Sequence, residues 1–156
     1  MSGPGAHPAA AAHLPHLVEL MREFYGEAGY PLPKSSAARA FQQLIDAPEL
    51  GQAWLLTCDD QPAGFLVLTL SYSMEYGGLR GFVDDFFVRP VFRGRGVGAA
   101  GLAALEAAAR ARGVRALLVE TSALNTTALS VYRRAGYEAT DHLWLTRPLA
   151  PPLHAD

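Results

Sequence analysis

The stretch Gly81-Phe-Val-Asp-Asp-Phe-Phe-Val-Arg-Pro-Val-Phe-Arg-Gly-Arg-Gly-Val-Gly98 decides the fold, because it predicts a strand, a turn and the start of a helix in direct succession. Phe82 to Val88 is dense in β-branched and aromatic residues and predicts a buried strand. Pro90 ends it, because proline has no N–H to donate to a neighbouring strand. Val97 to Arg112 is rich in Ala, Leu and Glu and predicts a helix, which Gly113 ends.

The turn between this strand and this helix, Arg93-Gly-Arg-Gly-Val-Gly98, has the composition of an anion site. Glycines let backbone N–H groups approach a ligand closely, and the helix start adds unpaired donors and the positive end of its dipole. The two arginines add charge, unless solvent simply surrounds them. The turn therefore predicts a pyrophosphate cradle. It is not a Walker loop, because no Gly-Lys-Ser/Thr follows.

Two motifs together resemble one known family. A strand, then Arg93-x-x-Gly96-x-Gly98, then a helix is similar to the acetyl-CoA-binding motif of the GCN5-related N-acetyltransferase (GNAT) family. Downstream, residues 125–137 read Asn-Thr-Thr-Ala-Leu-Ser-Val-Tyr-Arg-Arg-Ala-Gly-Tyr, which resembles the family's Asn…Ala…Tyr…Gly-Phe/Tyr segment. Around the central strand, Val-Asp-Asp-Phe-Phe-Val is most similar to the diamine (spermidine/spermine-type) branch.

The resemblance implies an enzyme, an acyltransferase with acetyl-CoA as its co-substrate. It would move the acetyl group to a primary amine of a small molecule by direct attack on the thioester. In the family, the N–H at the position of Val88 faces the thioester carbonyl, and such an oxyanion donor is typically worth ~10²–10³ in rate. The residues that the resemblance assigns to acetyl-CoA are Phe86, Phe87, Val88, Arg93, Gly94, Arg95, Gly96, Val97, Gly98, Asn125, Ala128 and Tyr132.

Proton transfer requires an acid for the leaving thiolate and a base for the amine. Tyr132 matches the family's general acid, and a phenol of pKa ~10 can stabilise a thiolate by donating a hydrogen bond. Asp84 corresponds to the catalytic glutamate of the diamine branch and, being shorter, is expected to act through an ordered water. Because adjacent strand residues point to opposite faces, Asp85 is expected on the other face. Glu120 on the next strand is the reserve base.

The acceptor pocket is expected beside the loop between the first two helices and the turn before the central strand. In the family this loop lines the pocket, and acidic and aromatic side chains suit a cationic amine. The two tyrosines of the loop either contact the acceptor or only pack, and the turn either rims the pocket or is solvated. The candidate acceptor contacts are Tyr25, Tyr30, Tyr72, Glu75, Tyr76 and Asp84.

The chain of 156 residues predicts a single domain over residues 13–149, with a flexible tail over 1–12 and another over 150–156. Short turns between consecutive strands predict an antiparallel meander, and the strand–helix–strand unit after it adds a parallel pair. The fold class is α/β, a GNAT-like twisted mixed sheet, mostly antiparallel, with helices on both faces. Its first strand is expected to be short or missing, and residues 137–140 and 143–147 predict a final hairpin.

Composition and net charge limit the classes of partner that the chain is expected to bind. The net charge of −2 offers no basic field for nucleic acid, and no apolar run approaches the ~20 residues of a membrane span. A single cysteine, Cys58, forms no internal disulfide, suits a cytoplasmic location, and is expected to be a core thiol. His7, His13 and His16 fit no closed metal site, so no metal is expected. An exposed sheet edge and the family resemblance favour a homodimer.

Three alternatives stay open. The same fold can serve a protein or peptide amine or another acyl-CoA, and an acidic surface suits a basic peptide. A non-catalytic, regulatory CoA-binding module is a second alternative, against which the intact motif residues argue. The third alternative is a nucleotide-binding protein, but this chain lacks the lysine and the magnesium ligands of nucleotide-binding sites.

Overall fold

The computed structural model describes residues 2–155, which form one five-stranded sheet with four α-helices around it. The strand order is β1-β2-β3-β4-β5; every neighbouring pair is antiparallel except β4 and β5, which are parallel. The mixed, mostly antiparallel sheet predicted from the sequence is therefore confirmed. The elements are β1 (Gly5–Pro8), α1 (Leu14–Glu27), α2 (Lys34–Asp46), β2 (Gly51–Cys58), β3 (Gln61–Ser73), β4 (Gly78–Val88), α3 (Val97–Ala111), β5 (Leu117–Val119) and α4 (Thr126–Arg134).

Each face of the sheet has its own hydrophobic core, as the alternation of side chains along the strands requires. On the front face, α1 and α2 cover a core that includes Leu17, Leu20, Phe41, Phe65, Val67 and Phe87. On the back face, α3 covers a core that includes Leu56, Leu66, Leu68, Val83, Val97 and Leu105, against which α4 packs Val131 and Tyr132. The prediction of helices on both faces is confirmed.

The first strand exists and is short. β1 pairs with β2 from Gly5 opposite Thr57 to Pro8 opposite Trp54, so part of the segment predicted as a tail belongs to the sheet. The imidazole Nε2 of His7 lies 3.0 Å from the Thr57 hydroxyl, which gives this histidine a structural partner. Within residues 2–155, no group of three His, Cys, Asp or Glu could hold a metal ion, and no helix is long and apolar enough to cross a membrane.

The predicted C-terminal hairpin does not form, and that prediction is wrong. Residues 138–155 carry no strand, and the leucines of the expected second strand, Leu143 and Leu145, are 87% and 91% exposed. β5 has only three residues, so its outer edge offers few backbone partners to a further strand. The local β pattern alone does not form a strand without such an edge.

Gly64→Ala tests how tightly β3 and β4 are paired at the end of the central strand. A Cβ at Gly64 would collide with the backbone carbonyl oxygen of Phe87, which cannot move without breaking the pairing. We expect the free energy of unfolding to fall by at least ~2 kcal/mol in denaturant titration. Gly3→Ala is the control, because a Cβ there meets nothing within 4 Å. A Gly64→Ala protein as stable as the control would contradict this packing.

Candidate active site

The turn that precedes α3 presents a row of free backbone donors. The first bond of the helix runs from the Ala100 N–H to the Gly96 carbonyl, at 3.0 Å. Within residues 2–155, the six N–H groups from residue 94 to residue 99 have no acceptor. These donors lie at the positive end of a fifteen-residue helix. The free N–H groups and the helix dipole together favour a bound anion such as a pyrophosphate.

Three glycines of this turn are required by its geometry. Gly94 and Gly96 have φ of 75° and 83°, in the left-handed region that side chains rarely adopt. Gly98 has ordinary dihedral angles, but a Cβ there would come within 3.1 Å of the Phe86 ring. The Gly-x-Gly spacing therefore serves both the shape of the turn and the close approach of α3 to β4.

The two arginines of the turn already have partners in the chain. The Arg93 guanidinium donates to the Val88 carbonyl at 2.8 Å and to the Glu27 carboxylate at 3.0 Å. Arg95 forms an ion pair with Asp59. Sequence reasoning assigned their charge to the ligand, whereas these contacts fix the turn against the end of β4, against α1 and against the β2–β3 turn.

The sheet opens beside this turn. β4 continues to Val88, but its pairing with β5 ends at Val83 opposite Val119. Residues 84–88 therefore have an unpaired edge on the side of β5, while β3 pairs with their other side. Such an edge offers backbone groups to an extended ligand in the way that a further strand would.

Tyr132 lies at the same opening. Its ring packs edge-on against Phe86 at 6.1 Å and against Tyr137 at 5.6 Å. Burial raises the pKa of Tyr132 to about 12, so the phenol keeps its proton at neutral pH and can donate a hydrogen bond. Asn125 caps α4, the helix that carries Tyr132, because its Oδ1 accepts the Ala128 N–H at 3.1 Å.

A β-bulge puts two carboxylates on one face, which corrects the sequence prediction of opposite faces. Leu66 pairs with Phe86 and Leu68 with Val83, so the single residue between Leu66 and Leu68 opposes both Asp84 and Asp85. Val83 and Phe86 both face the back core, which turns the two residues between them to the front. Both aspartates line a front-face cleft of about 300 Å³.

Asp85 is the more perturbed of the two carboxylates. The Tyr25 hydroxyl donates to its Oδ2 at 3.1 Å. Burial and then the charge of Asp84 raise the pKa of Asp85 to about 6, although the Tyr25 hydrogen bond lowers it. Burial also raises the pKa of Asp84. The remaining cleft walls come from α1, α2 and the sheet and are mostly apolar: Met21, Ala40, Phe41, Gln43, Leu44, Leu50, Val67 and Thr69.

The candidate acceptor residues divide into two groups. Tyr25 contacts Asp85, and Tyr30 stacks on His154, whose ring also lies 5.5 Å from the Tyr25 ring. The turn residues Tyr72, Glu75 and Tyr76 are exposed and are not among the residues that line the front-face cleft, so their part in acceptor binding stays a prediction. Tyr72 has the strand parity of the back core and lies three positions beyond Thr69, a cleft residue of β3, about 10 Å along the strand.

Glu120, the reserve base, is exposed. It follows Val119, the last residue of β5 that pairs with β4. Sequence reasoning did not place Asp85 on the face that carries the cleft. The adjacent aspartates were visible, but the bulge depends on the pairing with β3, which no local signal reveals.

The fold, the row of free donors before α3 and the front-face cleft together define an acyltransferase that takes its acyl group from a CoA thioester. A family model described as "Acetyltransferase (GNAT) family" matches residues 14–137, and the chain belongs to this family. The predicted enzyme class is therefore confirmed: an acetyl-CoA-dependent N-acetyltransferase. The family match does not separate the diamine branch from others.

Several named relatives are similar to the chain. It is 29% identical over 156 residues to aminoglycoside N(6′)-acetyltransferase type 1 of Stenotrophomonas maltophilia, covering 96% of this chain and 97% of that protein. It is 37% identical over 67 residues to the uncharacterized N-acetyltransferase YycN of Bacillus subtilis (strain 168), covering 43% of each chain.

Solved structures show the same fold. An integron cassette protein from the mobile metagenome of Cole Harbour Salt Marsh is 50% identical, with a TM-score of 0.89 over 96% of this chain and 93% of that one. Aminoglycoside N-acetyltransferase AAC(6′)-Iy, solved in complex with CoA, is 22% identical, with a TM-score of 0.82 over 96% of this chain and 97% of that one.

Asp85→Asn is expected to raise the melting temperature by a few degrees at about pH 8. Because burial raises the pKa of Asp85 to about 6, the folded protein holds a proton that the unfolded chain releases near pH 4. Stability therefore falls as pH rises from about 4 to about 6, and the ionised carboxylate costs folding free energy above that window. Asparagine keeps the acceptor oxygen for Tyr25 and removes the charge.

Thermal unfolding at about pH 8 and at about pH 4.5 measures this effect. The gain should shrink at the lower pH, where the wild-type carboxyl is already neutral. Asp60→Asn, in an exposed turn, is the matched control and should not change the melting temperature at either pH. An equal gain at both pH values would show that the charge of Asp85 is not its cause.

Proposed function

We propose that the chain acetylates a primary amine of a small molecule that carries at least two cationic amino groups, as aminoglycosides and diamines do. The observation that carries this proposal is the pair Asp84 and Asp85 on one face of the cleft. Two carboxylates in partly apolar surroundings suit two positive charges better than one. The similarity to the aminoglycoside N(6′)-acetyltransferase supports a polycationic small molecule.

Acetyl-CoA would occupy the opening between β4 and β5. The free N–H groups of residues 94–99 would hold its pyrophosphate, and the edge of residues 84–88 its pantetheine arm. When bound, the co-substrate supplies an acetyl group activated as a thioester. The backbone of Val88 and the side chain of Asn125 are proposed to orient that group toward the front-face cleft.

Asp84 and Asp85, which we call the acid pair, would bind the amine and remove its proton. A carboxylate with a pKa near 6 takes a proton from an ammonium more readily than one of ordinary pKa near 4. We therefore assign Asp85 as the base, acting at Oδ1 or Oδ2 directly or through a water, with Tyr25 holding its orientation. Asp84 binds the cationic amine or a second amino group, and Glu120 extends the acidic surface at the neighbouring position.

Tyr132 would stabilise the sulfur that leaves as a thiolate. Its phenol remains protonated, because burial raises its pKa to about 12, and it stands beside Phe86 at the open edge of β4. A hydrogen bond from the phenol to the sulfur stabilises the negative charge that develops there. Full proton transfer has little driving force, because a thiolate is a weaker base than a phenolate.

Assembly and location follow from separate observations. The exposed leucines of the segment after α4 and the short outer strand β5 support a homodimer, in which a second copy covers apolar side chains that this chain leaves in solvent. A buried, unpaired Cys58 supports a reducing, cytoplasmic setting. Analytical ultracentrifugation tests the dimer, and a purely monomeric protein at micromolar concentration would exclude it.

The function is tested by thiol release from acetyl-CoA with a 6′-amino aminoglycoside, spermidine and a basic peptide as acceptors. We expect turnover with at least one small polyamine, with kcat/KM falling below about pH 6 as Asp85 becomes protonated. Asp85→Asn should lower kcat by ~10²-fold or more and remove that pH dependence, whereas Asp84→Asn should mainly raise KM for the amine.

Glu138→Gln is the control for these variants, because it removes one exposed carboxylate outside the cleft. Its kinetic constants should equal those of the wild type. A preference for the basic peptide would replace the proposed acceptor class, and undiminished turnover by Asp85→Asn would remove this residue from the mechanism.

Tyr132→Phe is expected to lower kcat by ~10²-fold while acetyl-CoA still raises the melting temperature as it does for the wild type. The ring packing is kept and only the hydroxyl is lost. Tyr137→Phe is the matched control, since burial raises its pKa to about 12 as well, yet it lies one ring farther from Phe86. Equal activities of the two variants would refute an acid role for Tyr132.

A further inference from the structure

The segment after α4 runs over the front face as an extended arm, which we define as residues 138–155. Its hydrogen bonds within the described chain are local, from the His142 N–H to the Thr140 hydroxyl and from the Ala155 N–H to the Pro152 carbonyl. Rings instead attach it to the domain. Trp144 packs edge-on against Phe82 at 5.6 Å, and His154 stacks on Tyr30 at 4.3 Å with 28° between the planes.

Each of these two ring contacts involves a residue close to Asp84 or Asp85. Phe82 precedes Asp84 by two residues on β4, on the same front face. At the other contact, His154 lies 5.5 Å from the Tyr25 ring, and the hydroxyl of Tyr25 donates to Asp85. Through Trp144 the arm therefore touches Phe82, two residues before Asp84 on the same face, and through His154 it lies near Tyr25, which donates a hydrogen bond to Asp85.

The aromatic rings of the arm contact the domain, whereas its leucines are exposed to solvent. Leu143, Leu145 and Leu149 are 87%, 91% and 92% exposed and have no role in the contact with the cleft. Trp144 keeps part of its ring in contact with Phe82 while 60% of it stays open. Three prolines, at positions 148, 151 and 152, restrict the backbone between the two contacts and help to fix their separation.

We propose that the arm adds an outer wall to the acceptor site, beyond the residues that line the front-face cleft itself, and that Trp144 and His154 are specificity-determining residues for the amine. This inference rests on the proposed function. Aromatic faces attract a cation through their negative π-surface, and the carboxylates beside them supply the opposite charge. An amine bound to Asp84 and Asp85 would thus have aromatic rings beyond the cleft, with Trp144 beside Phe82 and the stacked Tyr30–His154 pair beside Tyr25.

The test compares His154→Ala, Trp144→Ala and a chain ending at residue 149 with the wild type, using the polyamine that the wild type acetylates best. Each change should raise KM for the amine by roughly three- to tenfold, the loss that one aromatic contact corresponds to. KM for acetyl-CoA should stay within about twofold, because the ring contacts of the arm are with Phe82, Tyr25 and Tyr30 and not with residues of the turn before α3. His154→Phe keeps a ring for stacking and should restore most of the affinity.

Thr146→Ala is the control within the same arm, because Thr146 is exposed and belongs to neither ring pair. If His154→Ala and the shortened chain leave KM for the amine unchanged while Asp85→Asn still slows turnover, the arm is no part of the site and this inference is wrong. If the wild type acetylates none of the amines, the proposed function fails and the inference fails with it. A parallel rise of both KM values would show a structural role and would also overturn the assignment.

Discussion

The single extra residue in β4 opposite Val67 determines what the front face of this protein can do. In a regular antiparallel pair, Asp84 and Asp85 would point to opposite faces, and one of them would enter the back core beside Val83. An unpaired carboxylate there would carry a large desolvation cost. The bulge turns both to the front, and from Phe86 onward the alternation resumes with the opposite parity, so Phe87 still reaches the front core.

The same stretch of β4 is exposed along its other edge. Because pairing with β5 ends at Val83, the bulge and the open edge coincide over residues 84–88. One side of the strand therefore offers free backbone groups next to the turn before α3, while its front face carries two carboxylates. A thioester bound along the edge and an amine bound over the face would meet at the end of one strand, which is the arrangement that acyl transfer requires.

Much of this could be read from the sequence where the signals are local. The turn before α3 was predicted because glycines at 94, 96 and 98 and a helix start are properties of neighbouring residues, and the structure gives each glycine a geometric reason. The bulge was not predicted, because it depends on which residue of β3 faces Asp84. The C-terminal hairpin was predicted and is absent for a related reason: strand propensity is local, but a strand needs an edge to pair with.

The balance of forces on Asp85 links stability to activity. Burial and the neighbouring Asp84 raise its pKa, while the hydrogen bond from Tyr25 lowers it, and the result near 6 keeps most of the carboxylate ionised at neutral pH. A stronger donor in place of Tyr25 would stabilise the folded protein and leave a weaker base. A fully apolar wall would raise the pKa further and leave the group protonated. The hydrogen bond from Tyr25 thus offsets part of the cost of burying the Asp85 charge, and the remaining loss of stability is what the proposed role of Asp85 as a base requires.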